Sequence, residues 1–342
     1  MVRALMLLLG LAGCASSSSQ PVALAGVPSE LRGKAPEQAV TLLPLSGPLQ
    51  SEKAELSGLT WYGDHLVMLP QYPDWEHDGP PCLYTVAKAD ILARLDHTAS
   101  GPLEPRCIVF DSGGLEKRIS SFEGYEAIGF TGDQAYLTVE THQRTGRGLV
   151  VTGRIAPDLS MLKLEASPEV SLPLHADVSN AGFEALVVSE DRVLALYEAN
   201  GARANPAPAA ESLARSLADA RKLTLPAIEY RTTDATSLDS EGRFWVMNYS
   251  FPATQHHFKP APDPLMARYG IGPTHAQKPQ VERLIELQVK PEGIVLTDRP
   301  PIQLQLVEVP RNWEGLVRLD DRGFLLVTDK FPGTLLGFVP GP

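Results

Sequence analysis

Apolar residues in this chain come in short runs closed by Gly, Asp or Ser clusters, the pattern of strands and turns rather than of helices. Five runs share one design: Leu56-Ser57-Gly58-Leu59-Thr60-Trp61, Tyr125-Glu126-Ala127-Ile128-Gly129-Phe130, Phe183-Glu184-Ala185-Leu186-Val187-Val188, Ala235-Thr236-Ser237-Leu238 and Trp313-Glu314-Gly315-Leu316-Val317-Arg318. Each sets a polar residue before a small one and an aliphatic one. A turn follows each (Gly63-Asp64, Gly132-Asp133, Glu190-Asp191, Ser240-Glu241-Gly242, Asp320 to Gly323), then a second apolar run (His65 to Leu69, Ala135 to Val139, Val193 to Tyr197, Phe244 to Met247, Phe324 to Thr328). These are hairpins, repeated. Further strands, such as Leu83 to Val86 with Ile108 to Phe110, and Leu284 to Val289 with Ile302 to Val307, bring most repeats to four, which predicts an all-β chain folded as a β-propeller. Five blades fit the count, and the long first and fourth spacings leave room for a sixth. A two-sheet sandwich is the other all-β solution, but gives no reason for the repeat. In the third repeat, Glu211 to Lys222 has helical composition and is expected to form an insertion. The last repeat has three strands, and Val40 to Leu45 is the segment expected to close the ring on it, removing an open edge.

The inner strand of every propeller blade lines the channel, so equivalent positions converge: Ser57, Glu126, Glu184, Thr236 (with Ser237 beside it) and Glu314. Glu123 offers an alternative register to Glu126. Three glutamates in a narrow channel repel unless protons, neighbouring bases such as Lys117 and Arg118, backbone amides or a cation compensate. All donors are oxygens, which selects a hard cation, and calcium's flexible coordination suits a loose ring better than magnesium's. A second set ends the return strands: Gln71, Glu140, Glu198, Asn248 and Asp329, 12 to 15 positions after the first. An out-and-back hairpin puts both sets on one face. The loops beyond carry Arg144, Arg203 and His256, the mix expected around a ligand. Zinc spacings, phosphate-binding glycine loops, a nucleophile elbow and HExxH are absent.

Composition changes the picture at the amino terminus. Forty-one acidic residues against 30 basic ones give a net charge of −11, which argues against nucleic acid or anionic lipid as a partner. Arg3, the apolar run Ala4 to Leu11 and the small residues after it form an export signal too short to span a bilayer. Leu11-Ala12-Gly13-Cys14 resembles the lipobox of bacterial lipoproteins. The resemblance implies a signal peptide at 1–13, a lipidated Cys14, a tether over 14–37, a single propeller domain over 38–342 and an outer-membrane location. Membrane contact is then through Cys14 alone, and the protein is expected as a monomer. Cys82 and Cys107 would meet an oxidising compartment, but begin antiparallel strands, and the bond between them stays open.

A ring of Ser, Glu, Glu, Thr and Glu, one from each blade, is similar to the calcium site of the soluble calcium-activated nucleotidases, five-bladed apyrases. The repeats also resemble the phytase-like esterase propellers of exported bacterial proteins. The likeness to the nucleotidases implies calcium at Ser57, Glu126, Glu184, Thr236 and Glu314. It also implies an anionic small-molecule substrate countered by residues such as Arg118, Arg144, Arg203 and Arg231, and a metal-activated water with Glu140 or Glu198 as general base. The competing expectation is a non-catalytic propeller that binds an envelope partner or glycan, with structural calcium.

Overall fold

In the computed structural model, residues 26–119, 121–142 and 146–342 are described; the signal segment, Cys14 and Arg144 lie outside them. The chain is a β-propeller. Its inner strands are Leu56–Tyr62, Phe122–Thr131, Phe183–Val188, Arg231–Ala235 and Trp313–Leu319, and each pairs antiparallel with the strand that follows it: His65–Pro70, Gln134–Thr141, Arg192–Tyr197, Arg243–Ser250 and Gly323–Thr328. Third and fourth strands extend each sheet outward.

The core lies between the sheets. One apolar seam joins Leu59, Leu66 and Met68 of the first blade to Val317, Leu325 and Val327 of the last, and four more join consecutive blades around the ring. Each blade is therefore covered on both faces, which explains why many strands read as unbroken apolar runs rather than alternating ones. Two joints carry ladder bonds as well. The outermost strand of the first blade, Arg106–Asp111, runs parallel to Met161–Pro173 of the second and fuses them into one eight-stranded sheet. At the other joint Thr41–Leu42 pairs with Leu336–Pro340, so the amino-terminal segment does close the last blade.

That segment does more than expected. Before reaching the last blade it lays Glu37–Gln38 against Ile302–Leu304 of the fourth. The Glu37 carboxylate accepts from the backbone N–H groups of Thr274 and His275, from Thr274 Oγ1 and from His275 Nδ1, at 2.8 to 3.2 Å. Packing on the propeller thus begins ahead of residue 38, and Val27 is already buried.

Two expectations are corrected, and one open question is closed. Glu211 to Lys222 is not helical; it spans the third and fourth strands of the third blade, Ala209–Ala214 and Arg221–Thr224. Leu217 and Asp219 hold positive φ in the turn between them, which a helix cannot accommodate. The fourth inner strand is Arg231–Ala235, not Ala235 to Leu238. Cys82 and Cys107 are bonded, with Cα atoms 5.3 Å apart. The short ladder pairs Cys82 with Val109 and Tyr84 with Cys107, so the cysteines are diagonal neighbours rather than at opposite ends.

In the small-residue position that follows the channel residue (Gly58, Ala185 and Gly315 elsewhere), the fourth blade carries Asp234. Its buried carboxylate accepts from Leu316 N–H of the last blade at 2.7 Å, from Leu59 N–H of the first at 3.3 Å and from its neighbour Ala235 N–H at 2.7 Å. Burial nonetheless pushes it well above the ordinary aspartate range. Asp234→Ala would orphan these N–H groups and is expected to cost about 2–4 kcal/mol in urea unfolding, whereas Asp234→Asn, which keeps an acceptor oxygen, should cost less. An unchanged midpoint for the alanine variant would remove Asp234 as a clamp.

Candidate functional site

Every inner strand is interrupted where the ring residue stands. The register slips between Leu56 and Gly58, Tyr125 and Ile128, Phe183 and Ala185, Thr232 and Asp234, and Trp313 and Gly315. The unpaired residues are Ser57, Glu126 with Ala127, Glu184, Thr233 and Glu314. A β-bulge frees one residue from the ladder and re-aims its side chain, and here the re-aimed side chains are the polar ring. The fourth member is thus Thr233, not Thr236. Thr236 lies past the strand end, where its hydroxyl accepts from Trp245 N–H at 3.0 Å. Ser57 and Thr233 do the same job in their blades: each donates to the carbonyl just before the next blade's glutamate, Ser57 to Tyr125 O at 2.7 Å and Thr233 to Trp313 O at 2.8 Å.

At this end of the channel is a cavity of about 170 Å³. From the first expected set it is lined by Ser57, Glu126, Glu184 and Glu314, and from the second by Gln71, Glu140 and Asp329. Arg231, Asn180, Asn312 and Thr254 complete the polar wall, and Phe251 and Phe331, stacked at 5.9 Å between centroids, form an aromatic wall. Gln71 donates to Glu126 Oε1 at 3.0 Å. This approach needs Gly124, because a Cβ there would sit 2.4 Å from Gln71 Cγ and 2.9 Å from Glu126 Oε1. Glu126 and Glu140 line the same wall, and the charge of Glu140 strengthens the hold of Glu126 on its proton. The Tyr249 hydroxyl reaches Glu314 Oε1 at 2.5 Å and also meets Asn312 Oδ1, while Asn312 Nδ2 donates to Asp329 Oδ2 at 3.0 Å. Asp329 Oδ1 has no partner.

Other expected residues lie elsewhere. Glu198 is fully buried behind the cavity wall, where Arg231 Nη1 donates to its Oε1 at 2.5 Å; it orients the guanidinium and is not placed as a general base. Asn248 is a strand clamp, donating to Glu229 O and Arg231 O and accepting from Arg283 Nε. Arg118 and Arg203 turn to the carbonyls of Gly113 and Pro260, and His256 packs on His257; none of the three lines the cavity. Asn180, Asn312 and Thr254 had no signal in the repeat, since they come from loops. The expected counter-charges thus reduce, among the described residues, to Arg231.

Five carboxyls face this cavity, and burial is the first cause of their shifts. It drives Glu126, Glu184 and Glu314 well above the usual range, with neighbouring carboxylates adding to the rise. Burial, with the charge of Glu198, pushes Glu140 up to about 7, and Asp329 rises for the same first reason. Glu198 also reaches about 7, burial outweighing the pull of Arg231. For a hard cation the donor set is right in kind, anionic and all oxygen. It is not right in placement: among the described residues, no group of three or more His, Cys, Asp or Glu side chains is disposed to hold a metal ion. Protons are what the present arrangement calls for.

No protein-family model matches the sequence, and no curated protein matches it. Similar solved structures include a bifunctional GH43-CE protein of Bacteroides eggerthii (13% identity, TM-score 0.46), of which the chain spans 34% while 88% of the chain is covered. A GH43_1 enzyme from Xanthomonas citri (11%, 0.45) and the soluble aldose sugar dehydrogenase of Escherichia coli (11%, 0.43) are covered over 91% and 99% of their lengths, each over 88% of this chain. At such values the likeness bears on neither activity nor substrate.

A carboxyl that holds its proton more tightly when folded stabilises the fold most where it is protonated. Its contribution is complete below its unfolded value and is lost as pH rises through its folded value, near 7 for Glu140 and Glu198. In chelator, the melting temperature should therefore fall between about pH 5.5 and pH 8.5, and Glu140→Gln should flatten the slope. A flat wild-type profile would show that the cluster is compensated in some other way. A calcium arm of the same titration restores stability at pH 8.5 only if the ring gathers around the ion.

Proposed function

We propose that the channel-mouth cavity is the active site of a hydrolase acting on a small uncharged polar substrate, a glycoside or an ester. The observation that carries this reading is that Glu140 and Asp329, from different blades, face one small cavity in which Arg231, the one cation among the described lining residues, is already paired with Glu198. An anionic phosphoester would meet a wall of carboxyls, whereas hydroxyl groups would find acceptors and protonated donors. The volume is below the roughly 300–1,000 Å³ of ordinary ligand pockets, so only a terminal group enters, with the rest of the molecule over Phe251 and Phe331.

Glu140 keeps a proton near neutral pH and gives it to the leaving-group oxygen. Asp329, through its unpartnered Oδ1, takes a proton from the attacking water, whose oxygen forms the new bond to carbon as the bond from that carbon to the leaving-group oxygen breaks. Arg231 stabilises charge that develops on the substrate. Chromogenic glycosides and acyl esters test the reading: one class should be turned over, and Glu140→Gln should lower kcat about 100-fold or more. Tight glycan binding without turnover would instead favour the non-catalytic propeller, and full activity in the variant would remove Glu140 from the chemistry.

Calcium is a second reading, favoured by the excess of oxygen donors in the ring, and would draw on Glu126, Glu184, Glu314 and Ser57. We also place the protein outside the cytoplasm, lipid-anchored at Cys14 in the outer membrane. The Cys82–Cys107 bond supports an oxidising compartment, and among the described residues no helix is long and apolar enough to cross a membrane. Cys14→Ser should move the protein from the membrane to the soluble fraction; retention in the membrane would defeat the anchor.

A further inference from the structure

A larger cleft lies on the opposite face of the propeller. Chains that start at the ring residues reach that face at the first hairpin turn, and Gly63-Asp64 forms part of its wall. The cleft, about 860 Å³, separates the first and second blades below their shared outer edge. That edge is shut by the parallel pairing of Arg106–Asp111 with Met161–Pro173 and by Val109 N–H donating to Ser160 O at 3.2 Å. The result is a walled trough of the size that takes small ligands.

Its chemistry differs from that of the mouth. The third strand of the first blade sends Leu83 into the apolar seam with Ile108, and two residues on, on the same side, stands Thr85. Thr85 lines the cleft, is only 5% exposed, and its Oγ1 has no hydrogen-bond partner. A buried hydroxyl without a partner costs free energy unless something binds it. Around it stand Asp64, Asp90, Glu104 and Asp158, with Arg106, His65 and the Tyr62 ring also on the wall; Asp64 lies 3.5 Å from Lys88 Nζ and Asp158 accepts from Ser160, so Asp90 and Glu104 are the acids with no ion pair or hydrogen bond of this kind among the described residues.

We propose that this cleft binds a small organic polyamine. An ammonium group has N–H donors and no acceptor, which is what an acceptor-rich trough needs, and a second ammonium can reach a different carboxylate along its length. The hydroxyl of Thr85 accepts from the inner ammonium, and the Tyr62 face adds a cation–π contact. A bare divalent ion would use the carboxylates but leave the length of the trough and the aromatic wall unused.

Calorimetric titration of spermidine into the purified protein at low salt tests this. One saturable site is expected, weakened about fivefold to tenfold by Thr85→Val, which changes no charge and almost no volume. Asp90→Asn, in the short helix Lys88–Leu95 that follows the third strand of the first blade, should weaken it too, and guards against a valine variant that fails to fold. Unsaturable binding, or binding equal in Thr85→Val, would mean diffuse attraction to an acidic protein and would overturn the site. So would calcium competing spermidine off at equal concentration.

Discussion

A propeller must hold together at its axis, where inner strands pair only outward and leave backbone donors facing one another. Here a single carboxylate answers much of that need. Asp234 takes N–H groups from the first, fourth and fifth blades, and two of these donors follow the glycines that stand at its own position in their repeats. Small residues let the strands converge, and one acid in place of a small residue fills what they leave. The apolar seams can then close the ring with those N–H groups met.

Around this clamp the bulges do the work of function. A regular ladder would send alternate residues into the seams; an extra residue in each inner strand turns one side chain toward the channel. The same distortion serves two ends: Ser57 and Thr233 tie adjacent blades through carbonyls, while Glu126, Glu184 and Glu314 bring acid to the mouth. Crowded and buried, these acids titrate upward, so the cavity is a reservoir of protons as much as of charge. Arg231 is kept from quenching it by Glu198 behind it.

Much of this was legible in the sequence. The polar–small–aliphatic repeat identified the hairpins, and four of the five ring positions line the cavity as aligned. The fourth repeat failed for a physical reason: Arg231-Thr232-Thr233-Asp234 has an acid where the pattern demands a small residue, so the next Thr looked better, three positions late. The third-blade strands read as helix because Ala209–Ala214 is buried along nearly its whole length and lacks period-two alternation, while Arg221–Thr224 is largely exposed, which together leave an Ala- and Leu-rich stretch of helical composition. Loop residues such as Asn180 and Asn312 have no periodic neighbour to betray them. The bond between the cysteines stayed open in the sequence because strand starts do not give the register, which only pairing sets.

The outer edge of the ring is not uniform. The first and second blades are one sheet, and the amino-terminal segment straddles the fourth and fifth. The third blade is a four-stranded sheet of its own, tied by backbone pairing to the fourth through the isolated bridge between Ala199 and Arg231. Thr232 N–H donating to Glu198 O and Ile228 N–H to Asn200 O, each at 3.1 Å, extend that bridge. The third blade thus carries Glu184 into one wall of the mouth and, through Glu198, fixes Arg231 in another, so two blades share the placing of the one guanidinium among the described lining residues.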